Sequence, residues 1–222
     1  MATNSKTKHK FVVFDVDWTM HGSALGTNLI HELLRAGLIE ADFDIEKTYD
    51  LWQNSSDPGI VFMSHYYDLF QKLIGLDEAV LRNLGQQVGE TAASHLYPYI
   101  ESEITRHRAD GRFLLLISNS PSITLEPFAK KLNIDDYSGS DFKFDENGKL
   151  HKIHSTSSRL KSDELLRLVN FHGLTLEDSY GYGDSLDDIS MLELVTHPYA
   201  VSPKAELLEK AQNDNWEIVN VK

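Results

Sequence analysis

Apolar residues in this chain gather into two kinds of pattern, short unbroken runs and longer stripes at helical spacing, and the two kinds occupy different regions. Phe11-Val12-Val13-Phe14 is long enough for a strand buried on both faces and too short for a helix. From Leu25 the period changes: Leu25, Leu29, Ile30, Leu33 and Leu34 define an amphipathic helix that stops at Gly37. A second, acidic helix is expected over Ile45 to Trp52, followed by a loop from Asn54 to Gly59. Between Gly59 and Ile74 two stripes run on opposite faces, Ile60, Met63, Tyr67, Phe70 and Ile74 against Phe62, Tyr66, Leu69 and Leu73. Such a helix needs cover on both sides. Val80, Leu81, Leu84 and Val88 mark a further helix running toward Leu96, and Tyr97-Pro98-Tyr99 closes the region.

No strand pattern interrupts residues 24–97, whereas strands and helices alternate from Phe113 onward. Phe113 to Ile117 predicts a second buried strand, Ser118-Asn119-Ser120-Pro121 a turn, and Ile123 to Leu132 a helix, which together make the βα unit of a parallel sheet. Phe142 to Ile153 reads as a hairpin about Asn147-Gly148. Helices are expected over Leu160 to Val169, Ile189 to Leu194 and Pro203 to Gln212, and strands at Ser179 to Gly183, Tyr199 to Val201 and Trp216 to Val219.

Composition narrows the classes. At 222 residues and 41% hydrophobic content the chain can bury a sizeable core, with room for a smaller inserted unit. It has no cysteine, so disulfides and thiolate metal sites are excluded and any metal must take oxygen or imidazole ligands. A formal charge of -13 argues against a general affinity for nucleic acid or anionic lipid. The first ten residues are polar and basic, and no apolar run reaches membrane-span length, so a cytoplasmic protein without nucleic-acid or membrane partners is expected.

The polar residues at the ends of the predicted strands carry the chemistry. Asp15 and Asp17 follow the first strand and share one side of it, a costly arrangement unless a cation, or a proton on one of them, relieves the repulsion. Ser118 and its neighbours present N–H groups and hydroxyls at a helix N-terminus, where an anion would sit well. Asp184 and Asp188 lie one helical turn apart and face the same way, while Asp187 points elsewhere, as a solvated acid at a helix start. His21, in the loop beside Asp17, is placed to contact a ligand but reads more readily as a solvated surface residue.

These residues, in this order, resemble the motifs of the haloacid dehalogenase (HAD) superfamily, and in particular its phosphoserine-phosphatase-like branch. Asp15-Val16-Asp17-Trp18-Thr19 looks like the D-x-D-x-T motif, Ser118 the second, Lys161 the third, and Gly183-Asp184-Ser185-Leu186-Asp187-Asp188 the G-D-x-x-x-D motif. The resemblance implies an α/β fold: a Rossmann-like parallel sheet core with helices on both faces, plus a small all-helical cap domain inserted after the first strand. The core would comprise residues 8–23 and 98–222, and the cap residues 24–97.

The implied activity is a phosphomonoester hydrolase acting on a small phosphorylated metabolite. Asp15 would be the nucleophile and Asp17 the general acid and base. Ser118, Asn119 and Lys161 would bind phosphate, and Mg²⁺ would be held by Asp15, Asp184 and the backbone carbonyl of Asp17, with Asp188 orienting a metal-bound water. Trp18 stands where the family more often has a small residue, and Trp18, Met63, Tyr66 and Tyr67 are the candidates for contact with the leaving group. The alternatives are a phosphate- or partner-binding module without turnover, and a dehalogenase, which needs neither the second acid nor a metal.

Overall fold

The computed structural model describes residues 9–41, 44, 47, 68–155 and 160–221. Apart from Lys47, the expected helix at 45–52 lies outside the described residues, as do the loop that follows, most of the two-striped helix, and Met63, Tyr66 and Tyr67.

The apolar run forms the centre of the molecule. Strand β1 (Phe11–Phe14) is wholly buried and pairs in parallel with β2 (Phe113–Pro121) on one side and β5 (Tyr180–Gly183) on the other. Beyond β2 lie β3 (Asp136–Phe144) and the antiparallel β4 (Leu150–His154); beyond β5 lie β6 (His197–Val201) and β7 (Glu217–Val219). The sheet order is therefore β4-β3-β2-β1-β5-β6-β7, with the chain turning back at β1, and the crevice at the carboxyl ends of β1 and its neighbours is where such sheets bind ligands.

Alternation along β1 recruits helices to both faces. Val12 and Phe14 pack with Ile100 and Ile104 of α3 (Pro98–Ala109) and Phe128 of α4 (Ser122–Lys131). Phe11 and Val13 pack with Leu165 and Leu168 of α5 (Lys161–His172), with Met191 and Leu192 of α6 (Ile189–Leu192), and with Leu207 of α7 (Ala205–Asp214). A third cluster joins α1 (Leu25–Arg35) to Leu81 of α2 (Glu78–Ala93) through Leu29, Leu33, Leu69 and Leu73. No helix among the described residues is long and apolar enough to cross a membrane.

Two features tie residues 75–93 to the rest. Gly85 and Gly89, one turn apart on α2, let it lie directly on α4: a Cβ at Gly85 would stand 2.5 Å from the Ile123 carbonyl oxygen, and one at Gly89 2.2 Å from that of Thr124. Ahead of α2, Gly75 N–H donates to Leu150 O, Leu150 N–H to Leu76 O, and Glu78 N–H to Gly148 O, so this stretch is stitched to the β3–β4 hairpin.

Three local readings change. Residues 118–121, expected as a turn, continue β2, because Pro121 still pairs with Ser140 across a register shift while Ser120 N–H and the Ser140 hydroxyl find side-chain and carbonyl partners on Ser118 and Asn119. Strand β3 starts at Asp136, ahead of the expected Phe142, since its first half, Asp-Tyr-Ser-Gly-Ser-Asp, is held by β2 and carries no apolar pattern. Helix α3 was not anticipated: Pro98 closes one region and also takes the first helical position of the next, where its missing N–H costs nothing.

Candidate active site

The main chain sets Asp15 in place. Its N–H donates to Tyr182 O at 2.9 Å, which carries the β1–β5 pairing one residue past the strand. The backbone then turns, Met20 N–H returning to Val16 O at 2.9 Å, with Trp18 in the left-handed region at φ 66° and its N–H on Ser23 O. This turn brings Thr19 back over Asp15, and its hydroxyl donates to Asp15 Oδ2 at 2.8 Å while lying 3.4 Å from Asp184 Oδ1.

The other side chains arrive from separate elements. Lys161, the first residue of α5, extends its ammonium to 2.6 Å from both Asp15 Oδ1 and Asp188 Oδ1. At the end of β5, Gly183 is followed by Asp184 and a capping turn in which Asp188 Oδ2 accepts the N–H groups of Asp184 (2.9 Å) and Ser185 (3.0 Å). Gly183 is required there, because a Cβ would stand 2.5 Å from that of Asp188. Asp187 is exposed, as the spacing implies, and takes the Asn119 side-chain amide at 3.3 Å.

Asp15, Asp184 and Asp188 are buried, and their carboxylate oxygens come within 4.8 Å of one another. Burial raises the Asp15 carboxyl well above the usual carboxylate range, Asp188 reinforces this, and Lys161 opposes it. Burial alone would lower Lys161, but Asp15 and Asp188 outweigh it and hold the ammonium charged, above an ordinary lysine. All the donors are oxygen, which suits a hard divalent cation, so the residues present fit the Mg²⁺ expected here.

Asp17 turns away from this cluster. Its Oδ1 accepts the N–H of Leu25, the first residue of α1, at 2.9 Å, and its Oδ2 accepts the Ser120 hydroxyl at 2.5 Å. Ser118 is buried and accepts Ser120 N–H through its own hydroxyl. His21 is a correction: it is buried, its ring against Phe128 and its Nδ1 at 3.1 Å from Ser23 Oγ, and burial lowers its pKa.

Three side chains here have no individual role in the sequence reading, although Thr19 closes the D-x-D-x-T match and Ser120 belongs to the polar stretch after Ile117. Thr19 lies four residues after Asp15, and Ser120 shares a strand face with Ser118, so both had a spacing that could have found them. Lys204, whose ammonium lies 3.4 Å from Asp184 Oδ2, had none, since it comes from the loop after β6.

Residues 12–193 match the family described as haloacid dehalogenase-like hydrolase. The chain belongs to that family. Among solved structures, a protein of unknown function from Bordetella pertussis Tohama I shares the fold at a TM-score of 0.75, with 21% identity, covering 97% of this chain and 100% of that one. A phosphoserine phosphatase in a phospho-aspartyl intermediate analogue state gives 0.67, with 20% identity over 97% and 95% of the two chains. In sequence, a histidinol-phosphatase of Neisseria meningitidis is 25% identical over 223 residues, spanning 95% of this chain and 98% of its own. A probable phosphatase of Mycobacterium tuberculosis is 27% identical over 152 residues, 66% of this chain and 52% of the relative. This HAD hydrolase is thus an enzyme of the phosphatase-like kind.

Proposed function

We propose that the protein is a Mg²⁺-dependent phosphomonoester hydrolase that works through an aspartyl-phosphate on Asp15, with residues 24–97 as a cap over a core of residues 8–23 and 98–222. The observation that carries this reading is the buried junction in which Lys161 bridges Asp15 and Asp188 beside Asp184. A dehalogenase would have no need for that acidic cluster.

Asp15 attacks phosphorus; the new O–P bond forms as the ester O–P bond breaks, and Asp17 gives its proton to the departing alkoxide. Water, deprotonated by Asp17, then attacks the same phosphorus and frees Asp15. Thr19 and Lys161 aim the nucleophile through their hydrogen bonds to its two oxygens. Lys161, the Ser118 hydroxyl and the Asn119 N–H offset the charge of the transferring group. Asp15, Asp184 and the Asp17 carbonyl would hold the divalent cation, with Asp188 orienting a metal-bound water, and the cation would neutralise charge on the phosphoryl oxygens.

The substrate is a small phosphorylated metabolite whose leaving group is cationic or neutral. Residues 24–97 carry Arg35, Lys47, Lys72 and Arg82 against eleven acids, a formal -7 that offers a second anion few partners. The name of the Neisseria relative is consistent with a phosphorylated amino alcohol, and phosphoserine, with its carboxylate, is expected to be poor. Turnover of an aryl phosphate in Mg²⁺, lost in EDTA and reduced at least about 1000-fold in Asp15→Asn, tests the chemistry. Near-normal kcat in that variant removes the covalent route. A panel of phosphoserine, amino-alcohol phosphates, sugar phosphates and nucleotides tests the substrate class, and phosphoserine giving the highest kcat/KM by a wide margin defeats it.

A further inference from the structure

Lys204 stands just before α7, and its backbone N–H donates to Asp184 O at 2.8 Å while its ammonium lies 3.4 Å from Asp184 Oδ2. Two ammonium groups therefore meet the three clustered carboxylates, and they are not equivalent. The Lys161 side chain is 7% exposed and hydrogen-bonded to two acids at 2.6 Å. The Lys204 side chain is 36% exposed, reaches in from a loop, and stops short of a tight hydrogen bond. Lys161 cannot leave without stranding two buried charges, whereas Lys204 can turn out to water.

A divalent cation that takes Asp184 as a ligand meets the Lys204 charge on the same carboxylate. Like charges so close repel, so the ammonium has to withdraw as the metal arrives. Whatever the ion pair contributes to the metal-free protein is then lost from the metal affinity, and the coupling is reciprocal.

We propose that Lys204 is the resident counter-ion of Asp184, neutralising it in the metal-free protein and withdrawing when a divalent cation binds, so that it sets the metal affinity of the site. This rests on the reading of Asp184 as a metal ligand. The sign of the effect separates it from a bracing role: removing a brace loosens Asp184 and weakens metal binding, whereas removing a competing cation tightens it.

The test uses the full chain stripped with EDTA and dialysed, titrated with Mn²⁺ followed by electron paramagnetic resonance and with Mg²⁺ followed by calorimetry. Lys204→Met is expected to bind Mn²⁺ about 3–10-fold more tightly than wild type, the effect being moderated by solvent around a partly exposed pair. Lys204→Arg keeps the charge and should keep the wild-type affinity. In EDTA, Lys204→Met should melt below wild type, and saturating Mn²⁺ should close the gap. Lys204→Gln is measured alongside, so a folding defect in one variant does not decide the matter. Equal or weaker binding by the folded neutral variants overturns the inference and leaves the metal-dependent reading standing; no binding of millimolar Mn²⁺ or Mg²⁺ by wild type overturns both.

Discussion

The Ser120 hydroxyl donates to Asp17 Oδ2 across 2.5 Å, joining residues 103 positions apart in the chain. The bond fixes the proposed acid between the end of β2 and the start of α1, where its other oxygen holds Leu25 N–H. A carboxylate with one partner instead of two can rotate off the line of proton transfer. Ser120→Ala should therefore lower kcat about 10-fold with little change in KM, and Ser120→Thr, which keeps the hydroxyl, should restore most of it. Steady-state kinetics on an aryl phosphate read the difference; equal kcat in Ser120→Ala and wild type would show that Asp17 needs no such support.

Metal and fold should be coupled. Three buried carboxylates share two ammonium groups, so filling the site relieves repulsion that the metal-free protein carries. Saturating Mg²⁺ at about 100 times its dissociation constant should raise stability by about 2–3 kcal/mol, seen as a higher melting temperature than in EDTA. Asp184→Ala should lose that increment. A variant that responds to Mg²⁺ as wild type does would take Asp184 out of the ligand set.

Mild acid should weaken the protein through His107. The imidazole is fully buried beneath β5, with Nε2 at 3.0 Å from the Tyr182 hydroxyl, and burial together with the neighbouring Arg106 lowers its pKa to about 4. In the unfolded chain it returns to about 6.5. Between those values the unfolded chain binds a proton that the folded one refuses, so stability falls as pH drops through this window. From pH 7 to pH 5 the loss attributable to His107 should be about 1–2 kcal/mol in urea unfolding. His107→Gln should flatten that slope, and an unchanged slope would assign it elsewhere.

The α2–α4 contact leaves no space for a methyl group. In Gly89→Ala the new carbon would meet Thr124 O at 2.2 Å, Pro127 Cγ at 2.8 Å and Phe128 N at 3.0 Å, two of them backbone atoms that cannot turn aside. Although alanine favours helices, the clash should dominate, destabilising the protein by about 2–3 kcal/mol. Urea unfolding of Gly89→Ala against wild type checks it; a gain in stability would mean the helices can part cheaply.

What was legible in the sequence was whatever one segment determines alone. Phe11 to Phe14 announces a central strand because all four positions are apolar, and Asp15 follows from its place at the strand's end. Lys161 leads into a helix, and in the structure it reaches Asp15, whereas Lys149 pairs with Asp77 at the surface. What stayed hidden needed two segments at once. The first half of β3 is polar and is made a strand by β2. Ser120 matters only because Asp17 lies opposite, and Lys204 only because the loop after β6 passes Asp184. His21 misled because a loop residue was assumed to be wet, whereas this loop is pressed against Phe128.

The glycine seam and the hydrogen bonds from residues 75–78 to the hairpin have a thermodynamic consequence. Two parts of a chain unfold separately only if one can lose its order without exposing the other. Here α2 cannot melt without baring the backbone of α4, and the turn before it cannot melt without unpairing Gly148 and Leu150. Those parts share one free-energy gap, so their amide protons should exchange through the same opening event, and heat should take them apart in a single transition.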